Sequence, residues 1–194
     1  MPELGRRVVH ASGAGFPGLY VCSLVDWPTL RLILVAFAGT AVALEVLRLS
    51  VGLDWAVYDR LTREYEQDNP AGYALYAVSM AGVGVVFSPP VAVPGMLMLA
   101  VADPVGGLLG SAGVREWKAP GVVVATFGVS FLLAAPFTVD ARGPTVGVLA
   151  AAVGAVGAAA ADGYKPRVFG FVVDDNATIP VLGCLGVATV FALT

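Results

Sequence analysis

Charge is scarce in this chain: Asp, Glu, Lys and Arg together make up 13% of it, about half of the roughly 25% found in soluble domains. With 58% of residues hydrophobic, too little polar surface remains to cover a water-soluble fold. A single histidine excludes a histidine-rich metal centre or a haem held by two histidines. The two cysteines, Cys22 and Cys184, stand far apart without metal-type spacing and fall in apolar runs, where cysteine serves as a small core side chain. No P-loop pattern occurs. Gly13-Ala14-Gly15-Phe16-Pro17-Gly18 fits GxGxxG in letters alone, since no strand precedes it and Pro17 sits inside.

What the chain does have is long apolar runs, and a helix needs about 20 such residues to cross a hydrocarbon core of roughly 30 Å. The pattern predicts an all-α polytopic transmembrane bundle of about seven spans. These lie at about Val8 to Leu24, Leu30 to Leu49, Gly72 to Phe87, Val91 to Leu109, Gly121 to Phe137, Thr145 to Ala161 and Ile179 to Leu193. Ser12, Gly13, Gly15, Pro17 and Gly18 interrupt the first. Glycine and proline in the others are tolerated in a bilayer when neighbouring helices re-satisfy the backbone. A cleaved signal peptide is not expected, because Arg6 and Arg7 precede a broken stretch that six further spans follow.

Lys and Arg orient the bundle. With the N-terminus cytoplasmic, the inner segments hold Arg6, Arg7, Arg48, Arg60, Arg63, Arg115, Lys118, Lys165 and Arg167, and only Arg31 and Arg142 fall outside. That asymmetry predicts a cytoplasmic N-terminus by the positive-inside rule. The net charge of -3 adds little, because acids weigh weakly in orientation. Residues 1–194 read as one integral membrane domain. Its polar segment 50–71, with Trp55 and Tyr58 among its acids and arginines, predicts a short cytoplasmic interfacial helix. Gly147, Gly154, Ala158 and Asp162 are spaced by seven, four and four. They form a stripe of small residues, suited to close helix packing, that leads to an acid.

Ionisable groups in or beside spans are expensive, and each is a candidate for function. Asp103 precedes Pro104, and Gly106, Gly107 and Gly110 follow at three, four and seven residues, on its helix face. A carboxylate beside bare backbone suits a divalent cation with phosphate oxygens close by, and equally a packing groove in which the acid caps the Pro104 break. Asp174-Asp175-Asn176 opens the last span. These are hard oxygen ligands of the kind magnesium accepts, or a helix N-cap with acids favouring the dipole. Arg7 and His10, three apart, share a helical face and can engage phosphate. Glu45 and Arg48 are expected to pair within the second span. Lys118 follows the Asp103 helix on a loop from which it can reach a nucleotide.

Taken in order, these elements resemble the CTP-dependent lipid kinase family that includes dolichol kinase, phytol kinase and CTP-dependent diacylglycerol kinase. The resemblance runs through nearly the whole chain: Arg6-Arg7-Val8-Val9-His10, Glu45 and Arg48, Arg63 and Glu66, Asp103 to Gly110, and Asp175-Asn176 before Ile179-Pro180. The chain departs from the family at Trp117-Lys118-Ala119-Pro120-Gly121, where no glutamate stands between lysine and glycine, and at Asp162, where the family has glutamate.

The resemblance implies transfer of the gamma-phosphoryl group of CTP to the hydroxyl of a membrane lipid alcohol such as dolichol, another polyprenol or an isoprenoid alcohol. Asp103 and Asp175 are then the catalytic acids, and Asp103, Asp162 and Asp175 the ligands of Mg2+. Arg7, His10, Gly106, Gly107, Gly110, Lys118 and Asn176 would contact the nucleotide. The alcohol would arrive sideways from the bilayer, and the active face of a cell-membrane protein would be cytoplasmic. Nucleic acid is not an expected partner. Two other readings compete: a CTP-dependent cytidylyltransferase making a CDP-lipid, and a small transporter or non-catalytic membrane scaffold, against which the one-sided clustering of acids counts.

Overall fold

The structure is a computed structural model that describes residues 3–51, 70–110, 117–168 and 171–194. The expected interfacial helix, with Arg63 and Glu66, falls outside the described residues, as does Arg115. The described chain forms α1 (Glu3–Ser12), α2 (Gly15–Val21), α3 (Trp27–Val51), α4 (Gly72–Val86), α5 (Pro89–Leu109), α6 (Pro120–Gly163) and α7 (Asp175–Leu193). Between α6 and α7 a small antiparallel ladder pairs β1 (Arg167–Val168) with β2 (Phe171–Val172). The expected all-helical architecture is otherwise what is seen.

Four of these helices are long and apolar enough to cross a membrane: α3, α5, α6 and α7. α4 is apolar but shorter. Large apolar side chains such as Leu32, Val86, Val124, Leu132 and Val156 are exposed on the bundle, as a lipid-facing surface requires and a water-facing one would not. The expected first span is instead two short helices. α1 ends at Ser12, α2 begins at Gly15, and Gly13 and Ala14 bond back to the His10 and Ala11 carbonyls in the turn between them.

α6 runs for 44 residues but does not run straight. At Gly143 φ is 74° and ψ 173°, a conformation that glycine adopts without steric penalty, and Pro144 follows. The chain folds back there. Thr126 Oγ1 donates to Asp162 Oδ2 at 2.9 Å, whereas 36 residues of straight helix would hold them roughly 54 Å apart. Close to the turn, Thr138 Oγ1 donates to the Gly147 carbonyl at 2.8 Å. α6 is therefore a helical hairpin with limbs 120–142 and 144–163, matching the two spans that the sequence predicts there.

The second limb packs on α7 through the small-residue stripe. A Cβ on Gly157 would lie 2.5 Å from the Leu182 carbonyl oxygen, and one on Gly154 2.6 Å from Val187 Cγ2. The backbones meet where side chains are missing, and dispersion contacts hold them. Leu30, Leu34, Met80, Met96, Leu99 and Ile179 fill the centre of the bundle.

These connections give the bundle two distinct ends. At one lie the start of α3, the end of α4, the α6 turn and the end of α7. Arg31 Nε donates there to the Gly84 carbonyl at 2.9 Å, and Arg142 lies 5.0 Å over the Phe191 ring. At the other, the end of α5, both ends of α6 and the start of α7 meet α1, together with the end of α3 and the start of α4. Glu45 accepts two bonds from Arg48, at 3.0 and 2.8 Å, one from the Ala71 amide at 2.7 Å and one from the Tyr73 hydroxyl. The expected Glu45–Arg48 pair thus ties α3 to α4.

Candidate active site

The site begins with a defect in α5. Its turn Met98–Ala102 is π-helical, and the Asp103 amide donates to the Met98 carbonyl. In that register the next carbonyl, Leu99, would look to residue 104, which is proline and has no N–H. His10 supplies the missing donor from α1, with Nε2 2.9 Å from the Leu99 oxygen. A carbonyl only accepts, so Nε2 carries the proton. The same Nε2 lies 3.4 Å from Asp103 Oδ2. Tyr76 fixes the ring by an edge contact at 4.6 Å between centroids and donates its hydroxyl to the His10 carbonyl at 3.2 Å. α1 is docked further by Arg7, whose Nη1 donates to the Pro104 carbonyl at 3.3 Å.

The glycines after Asp103 make room for other side chains. A Cβ on Gly106 would lie 2.5 Å from Thr126 Oγ1 and 2.8 Å from Asp162 Oδ2, and one on Gly107 would collide with the Arg7 guanidinium. Bare backbone on α5 therefore admits the Asp162 carboxylate on one side and a cation on the other. Gly110 ends the helix, its amide donating to the Gly106 carbonyl at 3.0 Å.

α6 contributes from both ends at once. The Lys118 amide donates to the Gly163 carbonyl at 2.9 Å, and the Trp117 and Tyr164 rings stack at 4.3 Å. This clamp brings the Lys118 ammonium onto Asp162 Oδ1 while Thr126 holds Oδ2. Asp162 is fully buried, an arrangement that needs such partners. At the start of α7 the two acids divide their tasks. Asp174 is the N-cap, accepting from the Asn176 amide at 2.9 Å and from Asn176 Nδ2 at 2.7 Å. Asp175 turns to the interior and meets Lys165 Nζ at 2.5 Å.

Three acids from three helices thereby converge. One carboxylate oxygen each from Asp103, Asp162 and Asp175 lies within 4.8 Å of the others. Asp103 keeps partial exposure, whereas Asp162 and Asp175 are buried. Like charges this close repel, and nothing in helix packing requires it. Lys118 and Lys165 offset two of the three charges if all are ionised.

Of the residues singled out from the sequence, Asp103, Asp162, Asp175, His10, Arg7, Lys118, Gly106 and Gly107 gather here. Asn176 lies one residue away and lines a neighbouring cavity. Thr126, Tyr76 and Lys165 were not expected. Their signal was present in Thr126 and Tyr76 as polar groups on otherwise apolar spans, and in Lys165 three residues beyond Asp162. In comparison with known proteins, the chain matches no family model, no curated protein and no solved structure.

Proposed function

We propose that this protein is a membrane-embedded lipid-alcohol kinase, transferring the gamma-phosphoryl group of CTP to the hydroxyl of a polyprenol or isoprenoid alcohol. The observation that carries this reading is the convergence of Asp103, Asp162 and Asp175 from three helices, with lysines on two of them and an arginine and a histidine alongside. The choice of CTP and of a lipid alcohol rests on the resemblance of the motifs. The excess of Lys and Arg at this end of the bundle supports a cytoplasmic active face, where CTP is found.

The donor set fits magnesium: three carboxylates supply hard oxygens, and their closeness asks for a shared cation. Asp103, Asp162 and Asp175 would hold it, and when bound it would neutralise charge on the nucleotide phosphates. The rest falls to the chain. Lys118 and Lys165 hold the buried acids now, and as flexible cations they can swing to phosphate oxygens when a nucleotide arrives. Arg7, seated over Gly107, presents a planar fork to the same space. Asp103, the only one of the three acids that is partly exposed, is placed to orient the attacking hydroxyl, with His10 fixing its position. Phosphoryl transfer depends chiefly on such positioning and electrostatic compensation.

The test is to incubate purified protein in detergent with Mg2+, geranylgeraniol or a polyprenol, and CTP labelled at the gamma phosphate. Label in the lipid is the expected result. Label in pyrophosphate from phosphatidic acid would establish the cytidylyltransferase instead, and an absence of turnover with every lipid would overturn the enzymatic reading.

A further inference from the structure

Beside the acid cluster, α1, α2, α3 and α4 enclose a cavity of about 380 Å³, toward the small end of ligand-sized pockets. Val9, Phe16 and Phe37 give it an apolar wall, and Arg6, His10, Tyr73, Tyr76 and Asn176 its polar lining. Gly13, also in the wall, stays bare because a Cβ would run into the Tyr76 hydroxyl. Val9 and Phe37 are 51% and 37% exposed, so the apolar side of the cavity opens to the surface of the bundle. Phe37 lies midway along α3 and Tyr73 at the start of α4. The cavity therefore extends from the depth of the acyl chains to the charged end.

At the polar end one group lacks a partner. Asn176 is 6% exposed, and its Nδ2 donates to Asp174 Oδ1. That bond fixes which way the amide faces, because the reverse assignment would set oxygen against oxygen. Its Oδ1 is buried and has no hydrogen-bond donor. A buried acceptor without a donor is costly in a low-dielectric interior, and a bound molecule bearing O–H would relieve it. Two residues tie this end to the acid cluster. Asn176 directly follows Asp175, and His10 lines the cavity while its Nε2 lies 3.4 Å from Asp103.

We propose that this cavity seats the acceptor lipid, taking the head and first part of the tail of a single-chain alcohol from the bilayer, with its hydroxyl donating to Asn176 Oδ1. This deepens the kinase reading and rests on it for the identity of the head group. The apolar wall disfavours a nucleotide, and the lone acceptor favours an alcohol over its phosphate.

The experiment is photolabelling of the full chain in detergent by geranylgeraniol carrying a diazirine on its tail, without nucleotide or metal. Labelling is expected in peptides of α1, α2 and α3. Unlabelled geranylgeraniol should compete about tenfold better than its methyl ether or geranylgeranyl monophosphate, a difference equal to one well-placed hydrogen bond. Asn176→Leu should erase that preference. Val9→Trp, at an exposed position that leaves the fold undisturbed, should cut labelling at least as much while Mn2+ binding to the acids persists. Labelling spread over the bundle, or a preference for the alcohol unchanged in Asn176→Leu, would overturn the proposal. The two readings fail separately: specific labelling without label transfer from CTP removes the kinase and leaves the cavity, whereas transfer at wild-type KM in Val9→Trp removes the cavity and leaves the kinase.

Discussion

The two ends of this bundle use their charges differently. At the turn end, Asp26, Arg31 and Arg142 each serve a neighbouring helix. Asp26 Oδ1 accepts from the Thr29 amide at 2.9 Å, as an N-cap does, Arg31 takes the last carbonyls of α4, and Arg142 rests on Phe191. Every one of these contacts satisfies a helix end or covers an apolar ring, and each is what stability alone would select. At the acid end, Asp174 and the Glu45–Arg48 pair work in that way. Asp103, Asp162 and Asp175 are driven together against their mutual repulsion, two of them buried, with a π turn and two bare glycines making room. A fold does not need that arrangement, and its cost makes the acid end the place where the proposed chemistry is to be tested.

The contrast can be broken by substitution. The largest effect is expected at Lys118: Lys118→Ala strips a buried carboxylate of its cation, a change that costs about 3–5 kcal/mol in comparable settings. Thermal unfolding in detergent should show a large fall, whereas Arg142→Ala at the turn end should stay within about 0.5 kcal/mol of wild type. If the two fell equally, the ends would not differ. Next comes Gly106→Ala, whose Cβ would press on Thr126 and Asp162. Overpacking of this kind costs about 1–3 kcal/mol, and by pushing α6 from α5 it should also depress label transfer. Gly128→Ala, with no atom within 4 Å of the added Cβ, should leave both unchanged.

A smaller effect is expected at His10. His10→Ala leaves the Leu99 carbonyl without its donor, and transfer should fall about tenfold, the equivalent of about 1.4 kcal/mol. His10→Gln keeps an N–H within reach and should recover most of the loss. Equal losses in both would assign His10 a role beyond positioning. The smallest effect belongs to Asp26, whose carboxyl is held below its usual range by hydrogen bonds from the Thr29 hydroxyl and amide. A lowered carboxyl stabilises the fold above the unfolded value of about 3.9 and loses that contribution as pH falls through its lower folded value. Asp26→Asn should therefore differ slightly from wild type in melting temperature at neutral pH and not at all in strong acid, with transfer unchanged at every pH.

Much of this was legible because bilayer helices leave few reasons for a charge to be present. Asp103, Asp162 and Asp175 stand out in apolar runs, the Glu45–Arg48 spacing implies its pair, and the Gly147 to Asp162 stripe implies close helix packing without saying which helix is the partner. The all-helical architecture and the four helices long and apolar enough to cross a membrane follow from run length. The first span does not. Val8 to Leu24 is apolar enough in sum, but it is divided at Gly13 and Ala14 into two short helices that line a cavity. The π turn was invisible because it follows from Pro104 and from a histidine 89 residues distant in sequence. Thr126 and Tyr76 are not legible in the sequence, because a hydroxyl on an apolar helix gives no sign of whether it bonds its own backbone or a distant group. The glycines were read as space for phosphate, whereas Thr126, Asp162 and Arg7 now occupy the space they leave.

The most direct test of the acid end is a Mn2+ titration of the purified protein followed by electron paramagnetic resonance, run on wild type and on Asp103→Asn, Asp162→Asn and Asp175→Asn. One bound ion per chain, weakened about tenfold or more by each substitution with label transfer falling about 10²–10³-fold alongside, is the result expected of a metal-dependent phosphoryl-transfer site. Folded protein that binds no ion at the cluster, with Asp103→Asn as active as wild type, would make the convergence of the three acids a structural network and contradict the account.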